Sequence, residues 1–224
     1  MGIAGLLPLL KSVVKKVHLS ELAGKAVAID AYSWLHKGVY GRCAMDLFQG
    51  LPTEAFVDFC MAKIELLLHH NVTPIMVFDG GRLPIKSWRE AERHKSRSEA
   101  QNKVAHCLAK GDKSGAHLYV QKATDITPEM AARLIQQLIR HSVEYVVAPY
   151  EADAQMAWLC RMGLVEAIIT EDSDLLLFGC RRVLFKLDRD GYADEISHDR
   201  IHRTSEIDIS TFTPTQVRDC CQFS

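Results

Sequence analysis

Four short apolar runs constrain this chain more than any other feature: Lys25 to Asp30 (KAVAID), Pro74 to Asp79 (PIMVFD), Glu144 to Ala148 (EYVVA) and Glu166 to Thr170 (EAIIT). They are rich in β-branched residues and nearly continuous, the composition of strands covered on both faces. Amphipathic stretches separate them, notably Thr53 to His70 and Thr127 to His141. The second opens with Thr127-Pro128-Glu129, a helix start signal. Strand alternating with helix predicts an α/β fold, a largely parallel sheet sandwiched by helices with right-handed crossovers. Near the end, Arg182 to Leu187 and Ala193 to Ile196 flank Asp188-Arg-Asp-Gly191, which predicts a hairpin on the sheet edge. A chain of 224 residues, 48% hydrophobic, has material for one sizeable core, so residues 1–224 are read as one domain.

The stretch from Leu83 to Asp125 breaks the alternation. It is long, polar and rich in Lys, Arg, Gln and Ser, with helix formers but no wide apolar face, and it is expected to stand off the core. From Arg82 to Lys113 there are nine basic residues against four acidic ones, on a chain whose net charge is only −1. A solvated helical insertion is the default reading of such a stretch. Its exit point argues for more: it leaves directly after the strand that ends in Asp79, and ligands of α/β sheets bind beyond the carboxyl ends of the strands. A basic stripe overhanging that edge suits a polyanion.

Other classes are excluded by simple criteria. No run of 18 or more apolar residues occurs, so no membrane span is expected. The apolar start, Met1 to Leu10, precedes its basic residues (Lys11, Lys15, Lys16) instead of following them, unlike a secretory signal. Leu6 stands where a myristoylation motif requires Ser or Thr. The seven cysteines (Cys43, Cys60, Cys107, Cys160, Cys180, Cys220, Cys221) are irregularly spaced without a Cys-x-x-Cys pair, as in an intracellular protein with reduced thiols. His198 and His202 have a helical zinc spacing but lack the adjacent Glu of that motif. Neither a phosphate-binding Gly-x-x-x-x-Gly-Lys loop nor a dinucleotide fingerprint is present, which disfavours NTP hydrolysis and nicotinamide redox chemistry.

Carboxylates recur where strands end. Asp30 closes the first run and Asp79 the second; Glu151 and Asp153 follow the third, and Asp172 and Asp174 follow the fourth. Single acids at such places can be helix caps, but in a parallel sheet these six share one edge. Like charges so gathered repel, and cations sustain them. Asp172-x-Asp174 is expected in extended backbone, where a period of two puts both side chains on one face. Side chains two residues apart on an ideal helix point about 200° apart, but Pro149 and Tyr150 mark the helix as only beginning here, so Glu151 is expected at its cap and not inside it. Oxygen-only ligands favour Mg²⁺ or Mn²⁺ over zinc. Two such ions about 3.5–4 Å apart serve in-line phosphoryl displacement.

In order along the chain, MGIAGLL (Met1 to Leu7), VAIDAYSWLHKG (Val27 to Gly38), VFDGGRLPIK (Val77 to Lys86), APYEADAQMAWL (Ala148 to Leu159) and ITEDSDLLLFGC (Ile169 to Cys180) resemble the structure-specific 5′ nucleases of the flap endonuclease superfamily, most of all its mismatch-repair exonuclease branch. The resemblance runs in register from Met1 to about Leu187. It implies a PIN-like 5′ nuclease core with an N-region over about 1–99, a helical arch over about 83–125 and an internal region over about 138–224. It implies a metal-dependent 5′ to 3′ double-stranded DNA exonuclease with 5′-flap cleavage, acting in the nucleus as a monomer on DNA ends, nicks, gaps and flaps, with mismatch-repair proteins as partners. Asp30, Asp79, Glu151 and Asp153 are implied to serve one Mg²⁺ and Asp172 and Asp174 a second, with Mn²⁺ able to substitute. Lys86 and Arg93 are implied to contact the scissile phosphate with help from Arg97, while Gly2, Tyr32 and His36 meet DNA near the cut. Trp34, between the last two, is assigned to the core.

The family pattern continues with a segment like Gly-Cys-Asp-Tyr, whose Asp completes the second metal site. This sequence stops at Cys-Gln-Phe-Ser224, short of that segment, with a final helix expected around Thr213 to Cys221. Two readings follow: an exonuclease domain that is C-terminally incomplete, and a catalytically impaired DNA-binding fragment of one. An RNA-cleaving nuclease with a related acidic site is disfavoured by the long basic insertion.

Overall fold

A computed structural model describes residues 5–81 and 87–201. Gly2, Lys86, His202 and the segment Thr213 to Cys221 lie outside the described residues. Among the described residues seven strands form one sheet: β1 (Lys15–His18), β2 (Ala26–Asp30), β3 (Thr73–Phe78), β4 (Glu144–Val147), β5 (Ala167–Ile169), β6 (Arg182–Phe185) and β7 (Tyr192–Ser197), in the spatial order β1-β7-β6-β5-β2-β3-β4. The five strands from β6 to β4 run parallel; β7 is antiparallel to β6, and β1 antiparallel to β7. All four runs read from the sequence are strands. The β6–β7 hairpin is present, with Arg182 opposite Ser197, but it is not the sheet edge, because β1 pairs outside it from Lys15↔Glu195 to His18↔Tyr192.

The chain moves outward from β2 through β3 to β4, then returns to β5 on the other side of β2. The direction reverses between β2 and β5, the switch point beyond whose strand ends α/β sheets bind ligands. Register decides what lines it. Ile29 pairs with Ile169, so Asp30 and Thr170 leave the sheet side by side. Phe78 pairs with Val147, so Asp79 leaves beside Ala148.

The helices are α1 (Leu6–Leu9), α2 (Ala31–Gly38), α3 (Ala44–Phe48), α4 (Ala55–His69), α5 (Ser87–Ala109), α6 (Lys113–Ala123), α7 (Pro128–Arg140), α8 (Ala152–Arg161) and α9 (His198–Ile201). One sheet face is covered by α2, α4 and α7 around Trp34, Phe56, Ile64 and Leu134, so Trp34 is a core residue as expected. The other is covered by α8 and the N-terminal segment around Leu10, Met156 and Leu175. Thr127 caps α7, its hydroxyl accepting from Met130 N–H, with Pro128 in the first turn.

The insertion is a helical hairpin, α5 against α6, and it does not wholly stand off the core. Ala100, Val104, Ala116, Val120 and Ala123 are buried and join the same cluster as Trp34. Ala100 and Val104 are four residues apart, one stripe on a helix. Small side chains make that stripe narrow, so the sequence shows no wide apolar face. The hairpin is therefore docked along one line, while residues 91–96 are all exposed.

Candidate active site

Asp30 is the N-cap of α2: its Oδ1 accepts from Ser33 N–H (3.0 Å) and its Oδ2 from the Thr170 hydroxyl (3.1 Å). Burial pushes its carboxyl up to about 6, with Asp79 and Asp172 adding repulsion against those two hydrogen bonds. Asp79 Oδ1 accepts from Ala152 N–H (2.7 Å), which pins the exit of β3 to the start of α8. Glycine makes this approach available. Gly80 N–H donates to Tyr150 O (2.6 Å), and a Cβ at Gly80 would lie 1.8 Å from Ala148 O.

Glu151 occupies the N-cap position of α8, with extended backbone, as expected from Pro149 and Tyr150 before it. Asp153 lies in the first turn, and its carboxyl is pushed up to about 8, by burial first and then by Asp30, Asp172, Asp79 and Asp174. Five aspartates from four strand ends therefore share one electrostatic field.

Asp172 and Asp174 are not in extended backbone. Ser173–Leu176 is a 3₁₀ turn that Asp172 caps, its Oδ1 accepting from Asp174 N–H (3.0 Å). The short Asp side chain favours this local bond to backbone two residues on, so the two acids are gathered by a turn and not by strand alternation. The Thr170 hydroxyl also accepts from Asp172 N–H (3.0 Å). Thr170 thus joins Asp30 to Asp172 across the switch point, a role no sequence signal announced.

The donor set is all oxygen, and the repulsion that raises Asp30 and Asp153 is what a hard cation relieves. Among the described residues, no three His, Cys, Asp or Glu side chains are drawn tightly enough around one point to hold an ion as they stand. The acids share one edge of the sheet and one electrostatic field.

Next to Asp30, α2 carries Tyr32 and His36. Tyr32 packs edge-on against Phe78, ring centres 6.4 Å apart, and its hydroxyl is shifted upward by burial, then by Asp79 and Asp125. His36 Nδ1 lies 3.1 Å from the Tyr40 hydroxyl. Burial lowers the His36 pKa; Asp125 opposes this, and Arg93 and Arg97 reinforce it. Arg93 is exposed on α5, and Arg97 forms an ion pair with Asp125. Lys37 on α2 is ion-paired with Glu171, which also accepts from Lys186 N–H (3.0 Å), so the loop before Asp172 is tied to α2 and to the end of β6.

The sequence profile of the XPG N-terminal domain matches residues 1–100, and that of the XPG I-region matches residues 142–224, together well over half of the chain. The chain belongs to the XPG family of 5′ nucleases. The gap between the two profiles holds most of the α5–α6 hairpin, so in XPG terms the hairpin bridges the N-terminal domain and the I-region. Exonuclease 1 of Arabidopsis thaliana is 47% identical over 224 residues, all of this chain and 30% of that protein. The chain thus spans under a third of that relative's length. The catalytic core of Rad2 in complex with a DNA substrate superposes with a TM-score of 0.68 at 25% identity, over 93% of this chain and 58% of that one. Flap endonuclease-1 from Methanococcus jannaschii, with a TM-score of 0.59 at 22% identity over 87% of this chain and 64% of its own, shares the fold. The α/β class and the seven-stranded mixed sheet are those of the XPG-type nuclease core.

Proposed function

We propose that this chain is the nuclease domain of a metal-dependent 5′ to 3′ double-stranded DNA exonuclease with 5′-flap endonuclease activity, serving DNA repair and recombination in the nucleus. The observation that carries the reading is the gathering of five aspartates into one field at the switch point, beside a basic helical hairpin. The Arabidopsis relative named Exonuclease 1 matches over the whole chain.

Asp30, Asp79, Glu151 and Asp153 would hold one divalent cation, and Asp172 and Asp174 a second, with Mg²⁺ the natural pair and Mn²⁺ a substitute. When bound, such ions lower the pKa of a water and neutralise the oxygens of the phosphoryl group. The chain's own groups do the rest. Ser33 N–H and the Thr170 hydroxyl fix the Asp30 carboxylate, and Ala152 N–H fixes Asp79, so the acids need little reorganisation as charge develops. Lys86 and Arg93 stabilise negative charge on the scissile phosphate, and Gly2, Tyr32 and His36 support the strand near the cut. Aromatic stacking on Tyr32 accepts any base, which suits cleavage without sequence preference.

The alternative reading is a catalytically impaired DNA-binding fragment of such a nuclease. One assay separates the two. The chain is incubated with a 5′-recessed duplex and Mg²⁺ beside its Asp172→Ala, Asp174→Ala variant; release of nucleotides by the first alone supports the nuclease. Equal signals, with junction binding that ignores metal, support the fragment. Recovery with mismatch-repair proteins from nuclear extract checks the partners and compartment.

A further inference from the structure

Arg97, which the family resemblance assigns to DNA, is engaged elsewhere. Both of its terminal nitrogens meet the carboxylate of Asp125, Nη1 to Oδ2 at 2.6 Å and Nη2 to Oδ1 at 2.7 Å. This fork-on-fork pair joins the middle of α5 to the segment that follows α6. Asp125 Oδ1 also accepts from Ile126 N–H (3.0 Å), so the carboxylate is held to its own backbone while Arg97 reaches it from a long flexible stem. Tyr32 and His36 of α2 and Tyr40 just after it all feel the Asp125 charge, and Arg93, one turn before Arg97, bears on His36 as well. The acid therefore stands among the residues proposed to meet the DNA strand.

An unpaired carboxylate there would repel phosphates, whereas a carboxylate gripped in bidentate fashion by Arg copies one, since the guanidinium fork fits either anion. Exposed ion pairs are weak and open readily; Asp125 is 47% exposed and Arg97 27%. We propose that Asp125 is a built-in stand-in for a DNA backbone phosphate, one that holds Arg97 and fastens the hairpin until an entering strand takes the guanidinium over. Asp125 is thus a specificity-determining residue. DNA that presents a phosphate to Arg97 compensates for the lost pair, and DNA that does not meets an acidic surface. The inference rests on the proposed DNA-cutting function and adds to it a competitor within the chain.

The test measures affinity of the full 224-residue chain for a fluorescein-labelled 5′-recessed duplex, with Ca²⁺ in place of Mg²⁺, across a salt series. Wild type, Asp125→Asn, Arg97→Ala and the double variant are compared. Asp125→Asn is expected to bind roughly three- to tenfold tighter at every salt concentration, with the log–log salt slope unchanged, because Arg97 reaches the phosphate in both proteins. That gain is expected to vanish in the Arg97→Ala background. An equal gain in both backgrounds overturns the proposal, because it reports plain charge repulsion. Unchanged or weaker binding by Asp125→Asn overturns it too, whatever the melting temperature, because the pair is then only a fastener. Parallel cleavage in Mg²⁺ separates the two levels: wild type that cuts while Asp125→Asn gains nothing sinks this inference alone, and wild type that neither binds nor cuts sinks both.

Discussion

The switch-point edge and the α5–α6 hairpin hold opposite charges by opposite means. At the edge, aspartates are fixed by backbone amides and a threonine hydroxyl, and Asp30 is buried beneath them. On the hairpin, the exposed half of α5 carries Arg93 and Lys95 in solvent, and a narrow stripe around Val104 is its apolar attachment. The edge stores repulsion in a rigid frame, whereas the hairpin presents positive charge on an element that one line of contacts holds. Such a division suits chemistry that needs fixed acids and a substrate that must be admitted beneath a movable cover.

Removing the stored charge gives the largest expected effect. Asp172→Ala with Asp174→Ala should lower cleavage on the order of 10³-fold, several kcal/mol of transition-state stabilisation. Without metal, the same variant should melt no lower than wild type, because two repelling groups are gone. A large fall in melting temperature would show that these acids hold the fold and would blur the contrast. Next comes the frame itself. Gly80→Ala sets a Cβ against Ala148 O, and such overpacking costs roughly 1–3 kcal/mol. Because Asp79 is pinned next to that contact, cleavage per folded molecule should fall on the order of 10²-fold; wild-type cleavage would show that the Asp79 anchor tolerates displacement.

The hairpin should answer differently. Val104→Ala in its stripe and Ile64→Val on α4 each remove buried methyl groups from one cluster, at roughly 0.5–3 kcal/mol apiece. Both should lower the melting temperature by a few degrees, about 2–4 °C per kcal/mol for a chain of this size. Cleavage per folded molecule should drop about tenfold for Val104→Ala, from a loosened cover, and stay near wild type for Ile64→Val. Equal losses would erase the distinction between frame and cover.

How much of this was legible follows the range of the interactions involved. Strands β2, β3, β4 and β5 announce themselves because burial on both faces demands a continuous apolar run. β1 does not: Lys15-Lys16-Val17-His18 has one apolar residue in four, and among the described residues no strand pairs on its outer side. The hairpin beside it was therefore placed one strand too far out. The acids were readable because parallel strands bring their ends together whatever the loops do, but the grouping of Asp172 with Asp174 rests on a turn, where strand spacing gives the right company for the wrong reason. Thr170 meets Asp30 across 140 residues and Arg97 meets Asp125 across 28. Both contacts depend on a register or a helix pairing that one-dimensional spacing does not encode.

The smallest expected effect tests the stored repulsion most directly. Asp153 and Asp30 have carboxyls raised to about 8 and about 6 from an unfolded value near 3.8. A carboxyl whose folded pKa is raised favours the native state when protonated. Its contribution is complete below about pH 4 and is lost as pH climbs through 6 for Asp30 and 8 for Asp153. The metal-free chain should therefore lose stability from pH 5 to pH 8.5 on account of these two groups. A divalent cation offsets that loss and binds better as protons leave. Thermal melts in saturating Mg²⁺ and in EDTA should differ by a few degrees at pH 8.5 and by little at pH 5, and the difference should shrink in Asp153→Asn. A Mg²⁺ shift that is the same at both pH values would mean that the aspartates do not share one field, and the edge would then differ from the hairpin only in the sign of its charge.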